Sequence, residues 1–160
     1  MGIDNDGARD PVVEGIGDHE TLLRLTWHPE DLADNGMLLP TAISSQDLQG
    51  TERGVSVNRA HMTQLETMMA LADRHQVRKP LQRIEPYVNA ITAGQVRSEK
   101  DELGVDQFLV KHDPLPENLA HAQIISRSKR SKSQARQLRL ILIRLFSVAI
   151  PLKDYFCSQS

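Results

Sequence analysis

Residues 54–59 read GVSVNR, and within them Val55 and Val57 alternate with Ser56 and Asn58. An apolar residue at every second position is the pattern of a β-strand with one apolar and one polar side. The sequence therefore predicts a strand at 54–59 that carries a serine and an asparagine on the side opposite to its valines.

Three other segments have features of strands. In ETLLRLTW, two leucines alternate with Arg24 and Thr26, while VDQFLVK and AHAQII are short segments of strand length that contain several apolar residues. Short segments of this kind are typical of strands. Together with 54–59, they predict a four-stranded sheet whose other members lie at 21–27, 105–111 and 120–125.

One segment has clear helical periodicity. In TQLETMMALADRH at 63–75, apolar side chains recur at positions i, i+3, i+4 and i+7, which places them on one side of a helix. Thr63 and Glu66 have the spacing of a capping box, a pattern that begins helices. The sequence therefore predicts a helix at 63–75.

A second helix is predicted at 134–149, because this segment is long, lacks glycine and proline, and stops before Pro151. Its apolar run at 140–143 also fits a buried strand, since periodicity alone does not separate the two structures. Between 84 and 95 the apolar residues are too sparse to distinguish helix from strand.

These elements predict one α+β domain, a small, mainly antiparallel sheet packed by two main helices. The chain of 160 residues has the length of one ordinary domain. We expect this domain to span 19–152, after a disordered acidic leader at 1–18 and before a C-terminal tail at 153–160.

Charge is sorted along the chain. Residues 1–60 carry four bases and eleven acids, 4 − 11 = −7, whereas residues 126–160 carry eight bases and one acid, 8 − 1 = +7. The overall net charge of −2 hides these two opposed regions. The basic end therefore predicts a surface that binds a protein partner or nucleic acid, formed by Arg127, Lys129, Arg130, Lys132, Arg136 and Arg139. Two other interpretations of the basic end remain. The segment is a solvated linker followed by a core helix, or it docks on the acidic beginning of the chain or on an acidic partner.

Several classes of protein are not supported by the sequence. The single cysteine, Cys157, excludes an internal disulfide and suits a reducing compartment. No secretory signal and no apolar segment long enough for a membrane span is present, so we expect a cytoplasmic protein without membrane association. No glycine-rich nucleotide loop occurs. The histidines lack metal-ligand spacing, with His112, Asp113 and His121 the only local cluster, so no metal site is expected.

Two segments resemble small, uncharacterised bacterial proteins. The resemblance lies in an S-V-x-R segment at 56–59 and in a later D-P … N-x-A-H-A-x-I segment at 113–124. It implies no particular activity. It does single out polar residues beside predicted strand ends, where sites often form, although capping and turn formation would also explain them. These residues are Ser56, Arg59, Asp113, Asn118 and His121.

A second resemblance is to the opening of ADP-ribosyltransferase-like folds, which bind NAD. It lies in Leu22-Leu23-Arg24, in NGMLLP at 35–40, and in Val55-Ser56-Val57. The resemblance implies that Arg24 and Ser56 contact the cofactor and that His121 or a glutamate assists transfer.

The sequence thus leads to two functional hypotheses. The first is a non-enzymatic bacterial accessory or interaction protein, without a cofactor, that binds a protein partner or nucleic acid through its basic C-terminal segment. The alternative is an NAD-using ADP-ribosyltransferase-like enzyme with Arg24, Ser56 and His121 at its site.

Overall fold

The computed structural model describes residues 15–78 and 85–158, without the side chains of 76–78. Within these residues, six strands form one sheet in which every pairing is antiparallel. The strands are β1 (Thr21–Trp27), β2 (Val55–Arg59), β3 (Pro86–Thr92), β4 (Phe108–His112), β5 (His121–Ser126) and β6 (Ile150–Pro151). The α-helices are α1 (Leu65–Arg78), α2 (Ala93–Arg97), α3 (Lys132–Leu145) and α4 (Leu152–Ser158). The predicted α+β class is confirmed.

The strand order is β4-β5-β2-β1-β3-β6, so β2 lies in the middle of the sheet. Ser56 is directly opposite Gln123 of β5, and Asn58 is opposite His121. Because side chains alternate between the two faces of a strand, these four residues share one face of the sheet. We call it the Ser56 face, and the opposite one the α3 face.

The α3 face carries the larger part of the core. Val55 and Val57 of β2 pack there with Leu138 and Leu142 of α3, all at most 3% exposed. Helix α3 begins at a capping box formed by Ser131 with Gln134. Its buried residues recur at helical spacing, so one side of α3 is apolar and lies against the sheet.

The Ser56 face is covered over β1 and β3. Leu23 of β1 and Val88 of β3 pack there with Met68 of α1 and Leu152 of α4. Ser56 itself, one strand away, is exposed. The helices on this side therefore bury one end of the face and leave Ser56 accessible.

The four predicted strands are present with small changes in their ends. The predicted helix at 63–75 is α1, and the predicted helix at 134–149 is α3, so the alternative of a buried strand at 140–143 is wrong. Helix α3 stops at Leu145 because the following backbone turns to the sheet, where the Ser147 N–H donates to Ala90 O at 2.7 Å. The segment 84–95, which the pattern left open, contains β3 and the start of α2.

Both ends of the predicted domain extend further in the structure. Residues 1–14 of the predicted leader lie outside the described residues, but Ile16 is 7% exposed and packs in the core. The segment 153–160, expected to be a tail, is helical through Ser158, because Tyr155 and Phe156 pack against the core. In the described ranges, no helix is both long and apolar enough to cross a membrane.

Candidate functional site

Three polar residues form a continuous hydrogen-bonded arrangement at the Ser56 face. The Ser56 Oγ lies 3.1 Å from His121 Nε2, and His121 Nδ1 lies 2.8 Å from the backbone oxygen of Asp113 and 3.3 Å from its Oδ2. A carbonyl oxygen only accepts hydrogen bonds, so Nδ1 carries the proton. In neutral His121, Nε2 is therefore the acceptor that faces the Ser56 hydroxyl. We call these three residues the Ser56 relay.

A second layer of hydrogen bonds holds the relay. Gln123 Nε2 donates to Asp113 Oδ2 at 2.7 Å, and Gln123 Oε1 accepts from Gly54 N–H at 2.6 Å. A Cβ added to Gly54 would lie 2.1 Å from the backbone oxygen of Ile124, so only glycine permits this close approach of β2 to β5. The amide of Gln123 thereby links the position of the Asp113 carboxylate to the start of β2.

Arg24 contacts the same serine from the other side. By strand alternation Arg24 shares the α3 face with Leu22, and its guanidinium donates to the backbone oxygens of Ser56 and Ala42, both at 2.8 Å. Burial lowers the pKa of Arg24, and the charges of Asp31 and Asp47 oppose this effect. The structure thus brings the side chains of Ser56 and His121 together, as the NAD interpretation requires, but not that of Arg24.

The other residues singled out by the first resemblance form buried networks next to the relay. The side-chain amides of Asn58 and Asn118 exchange two hydrogen bonds of 2.9 Å, and His121 N–H donates to Asn118 O at 3.1 Å. These contacts connect β2 to the turn that precedes β5. Asn118 therefore positions the backbone of His121.

Among the residues that the structure describes, Arg59 is the largest fully buried side chain. Its side chain has no exposed surface and donates to Glu20 through Nε at 2.9 Å and Nη2 at 2.8 Å. Burial raises the pKa of Glu20, but the hydrogen bonds from Arg59 and Gly17, with the charges of Arg59 and His61, outweigh it and lower the pKa overall. A cavity of about 710 Å³ opens beside Glu20, between His61 and the aromatic side chains of α4.

The predicted basic surface divides into two groups. Arg130 and Arg139 make internal hydrogen bonds: Arg130 Nε donates to Ser126 Oγ at 3.2 Å, and Arg139 Nη1 donates to Ile43 O at 3.4 Å. The remaining predicted bases are exposed, as is Arg144 in the last turn of α3. We call the exposed set the basic face; it consists of Arg127, Lys129, Lys132, Arg136 and Arg144.

Comparison with family models, curated proteins and solved structures finds no match for this chain. Function therefore rests on the residues and their geometry. Within residues 15–78 and 85–158, no group of three or more histidine, cysteine, aspartate or glutamate side chains is arranged to hold a metal ion.

Sequence reasoning missed three residues that support these sites. Gln123 follows His121 by two positions on a strand, a spacing that places both side chains on one face and could have revealed it. Gly54 precedes the alternating residues of β2, where a close approach of backbones often requires glycine. Glu20 carried no signal in the sequence, because its pairing with Arg59 depends on tertiary structure.

Proposed function

We propose that this protein binds nucleic acid by its phosphate backbone through the basic face. The observation that carries the proposal is the composition of α3. Its 14 residues contain no acid, and Lys132, Arg136 and Arg144 are exposed on the side turned away from the core. Neutralising phosphates with such side chains releases condensed counterions, which drives binding that does not depend on base sequence.

The positions of Lys132 and Arg136 do not stabilise the helix itself. Lys132 is the first residue of α3, where the helix dipole disfavours a positive charge. Lys132 and Arg136 are four residues apart, a spacing at which like charges repel. Each effect opposes folding by a few tenths of a kcal/mol or more. When an anionic partner binds, its negative charge would offset both the dipole effect at Lys132 and the repulsion between Lys132 and Arg136.

The loop before α3 adds to this surface. Lys129 and Ser128 of this loop are exposed, as is Ser133 in the first turn of α3, and the two serine hydroxyls can donate to phosphate oxygens. Arg127 contributes less, because its Nη1 lies 3.9 Å from Asp106 Oδ2. A hydrogen bond from Lys100 lowers the pKa of Asp106, which therefore stays ionised and offsets part of the charge of Arg127.

The test is retention of nucleic acid during purification at low salt. The charge-reversal variant carries Lys132→Glu, Arg136→Glu and Arg144→Glu. The control variant reverses three exposed bases elsewhere, Arg53, Arg74 and Lys153, so that both variants have the same net charge. We expect wild type and control to retain nucleic acid, measured by absorbance at 260 nm, and the charge-reversal variant to lose it. Equal retention by the two variants would contradict the proposal.

A protein partner is the second candidate, and one observation favours it. Leu140 is 48% exposed and lies between Arg136 and Arg144 along α3. An apolar side chain among bases suits an acidic protein surface better than a phosphate backbone. If a protein rather than nucleic acid accompanies the wild type and is lost from both the charge-reversal variant and Leu140→Ser, this second candidate replaces the first.

A further inference from the structure

We propose that Ser56 is a nucleophile that His121 activates for acyl transfer from short carboxylic esters. The Ser56 relay has the connectivity that such chemistry requires: a hydroxyl, an imidazole that accepts its proton, and a carbonyl and carboxylate that hold the imidazole. This inference goes beyond the proposed function and does not depend on it, because the relay and the basic face are separate sets of residues.

The geometry assigns each atom a role. With the proton of neutral His121 on Nδ1, the Nε2 lone pair lies 3.1 Å from Ser56 Oγ, within reach for proton transfer. The Asp113 carboxylate, 3.3 Å from Nδ1, stabilises the imidazolium that forms. Ser56 and His121 would be catalytic residues, and Asp113 a positioning residue.

The nucleophile is accessible while its base is protected. Ser56 is exposed, whereas the His121 side chain is 11% exposed and the Asp113 side chain 38%. An ester can therefore approach Oγ without displacing another side chain from it, while the imidazole is held from two sides.

The reaction needs no reactant other than the ester and water. Ser56 Oγ attacks the ester carbonyl carbon, and its proton passes to His121 Nε2. The bond from the carbonyl carbon to the leaving oxygen breaks, and the leaving alcohol takes the proton from Nε2, which leaves an acyl-Ser56 ester. Water then attacks this ester with His121 as the base, releasing the carboxylic acid and returning the proton to Ser56.

The first test is covalent labelling with diisopropyl fluorophosphate, followed by intact mass and peptide mapping. We expect one adduct, on Ser56, and none on Ser128 or Ser133, which are also exposed but lie outside the relay. His121→Gln should slow labelling by about 10²-fold or more, the usual contribution of a general base. An unlabelled Ser56, or labelling of all three serines at similar rates, would overturn the inference.

The second test separates chemistry from folding. Ser56→Ala changes an exposed side chain, so the variant should unfold at the wild-type temperature yet take no label and release no nitrophenol from p-nitrophenyl acetate above background. Ser56→Cys should keep a nucleophile and react with the same ester. If Ser56→Ala hydrolyses the ester as fast as wild type does, the nucleophile lies elsewhere.

The role of Asp113 is tested by the rate of labelling in two variants, Asp113→Asn and Asp113→Glu. Two charged side chains lie near His121 on the Ser56 face. They are Asp113, which follows β4, and Lys111 of β4, which is opposite Gln123. Asp113→Asn keeps the backbone contact to Nδ1 but removes the charge that favours imidazolium. We expect a slower reaction, because the imidazolium that forms during the transfer loses this stabilisation, whereas Asp113→Glu, which keeps a carboxylate, should recover part of the rate. A labelling rate in Asp113→Asn equal to that of wild type, or an equal loss of rate in Asp113→Asn and Asp113→Glu, would leave Asp113 without this role and contradict the assigned relay.

Discussion

The pairing of Arg59 with Glu20 gives the sharpest prediction about stability. The Arg59 side chain is fully buried and the Glu20 side chain 12% exposed, and two hydrogen bonds of 2.8 and 2.9 Å join them. Glu20→Gln removes the negative charge but keeps the shape and one acceptor. Removing one partner of a buried pair costs about 3–5 kcal/mol, since the other charge is left uncompensated. Because one acceptor remains, we expect about 3 kcal/mol.

For a chain of this size, 1 kcal/mol corresponds to about 2–4 °C in Tm, so the variant should melt roughly 6–12 °C below wild type at pH 7. The assay is thermal unfolding followed by circular dichroism. The matched control is Asp18→Asn, because Asp18 pairs with Arg97 at 2.8 Å but its side chain is 75% exposed. Exposed pairs contribute about 0–1 kcal/mol, so the control should melt close to wild type.

The same pair predicts a dependence on pH. The pKa of Glu20 in the folded state is lowered from its ordinary value of 4.5. Its stabilising effect is therefore complete above that ordinary value and is lost as the pH falls through the folded-state pKa. The difference in Tm between wild type and Glu20→Gln should shrink below about pH 4.5. Equal losses in Glu20→Gln and Asp18→Asn, or a difference that stays constant down to pH 3, would refute this reasoning.

Three further predictions concern packing and binding. Leu142→Ala should cost about 2–5 kcal/mol in urea unfolding because its side chain is fully buried, whereas Leu140→Ala, half exposed on the same helix, should cost under about 1 kcal/mol. Gly54→Ala should destabilise the sheet, since a Cβ there meets a β5 carbonyl at 2.1 Å, while Gly50→Ala, with open space around it, should leave the Tm unchanged. NAD should not raise the Tm, because the Arg24 guanidinium is bonded to backbone carbonyls on the α3 face. If NAD at about 100 times its dissociation constant raised the free energy of unfolding by roughly 2.7 kcal/mol, that result would favour the NAD-using enzyme instead.

The alternation of apolar and polar residues was sufficient to predict β1 and β2, but not β3. Asn89 in the middle of β3 is fully buried, where its side chain bonds to Thr26 and to the Ser147 carbonyl. A polar residue at a buried position breaks the pattern, and only tertiary structure explains its presence. The start of α2 carried a readable signal that was missed, the capping box of Thr92 with Gln95.

The candidate site could be predicted only in part. Ser56, Asp113 and His121 were each singled out, and Asp113 is close to His121 along the chain. Contact between Ser56 and His121 depends on the register of β2 against β5, and a shift of one residue would turn either side chain to the other face. Apolar and polar positions alone do not set that register. The same limit applies to the basic surface, where the internal hydrogen bonds of Arg130 and Arg139 follow from the packing of α3.

The salt dependence of binding to a fluorescent 30-base-pair DNA duplex tests the proposed function most directly. The logarithm of the affinity should fall linearly with the logarithm of the salt concentration, with a slope of about −0.9 per phosphate neutralised. The charge-reversal variant at Lys132, Arg136 and Arg144 should lose most of that slope and affinity, and the control variant should keep both. Absence of binding by wild type at low salt, or the same slope and affinity in the charge-reversal variant, would contradict the proposal that the basic face binds nucleic acid.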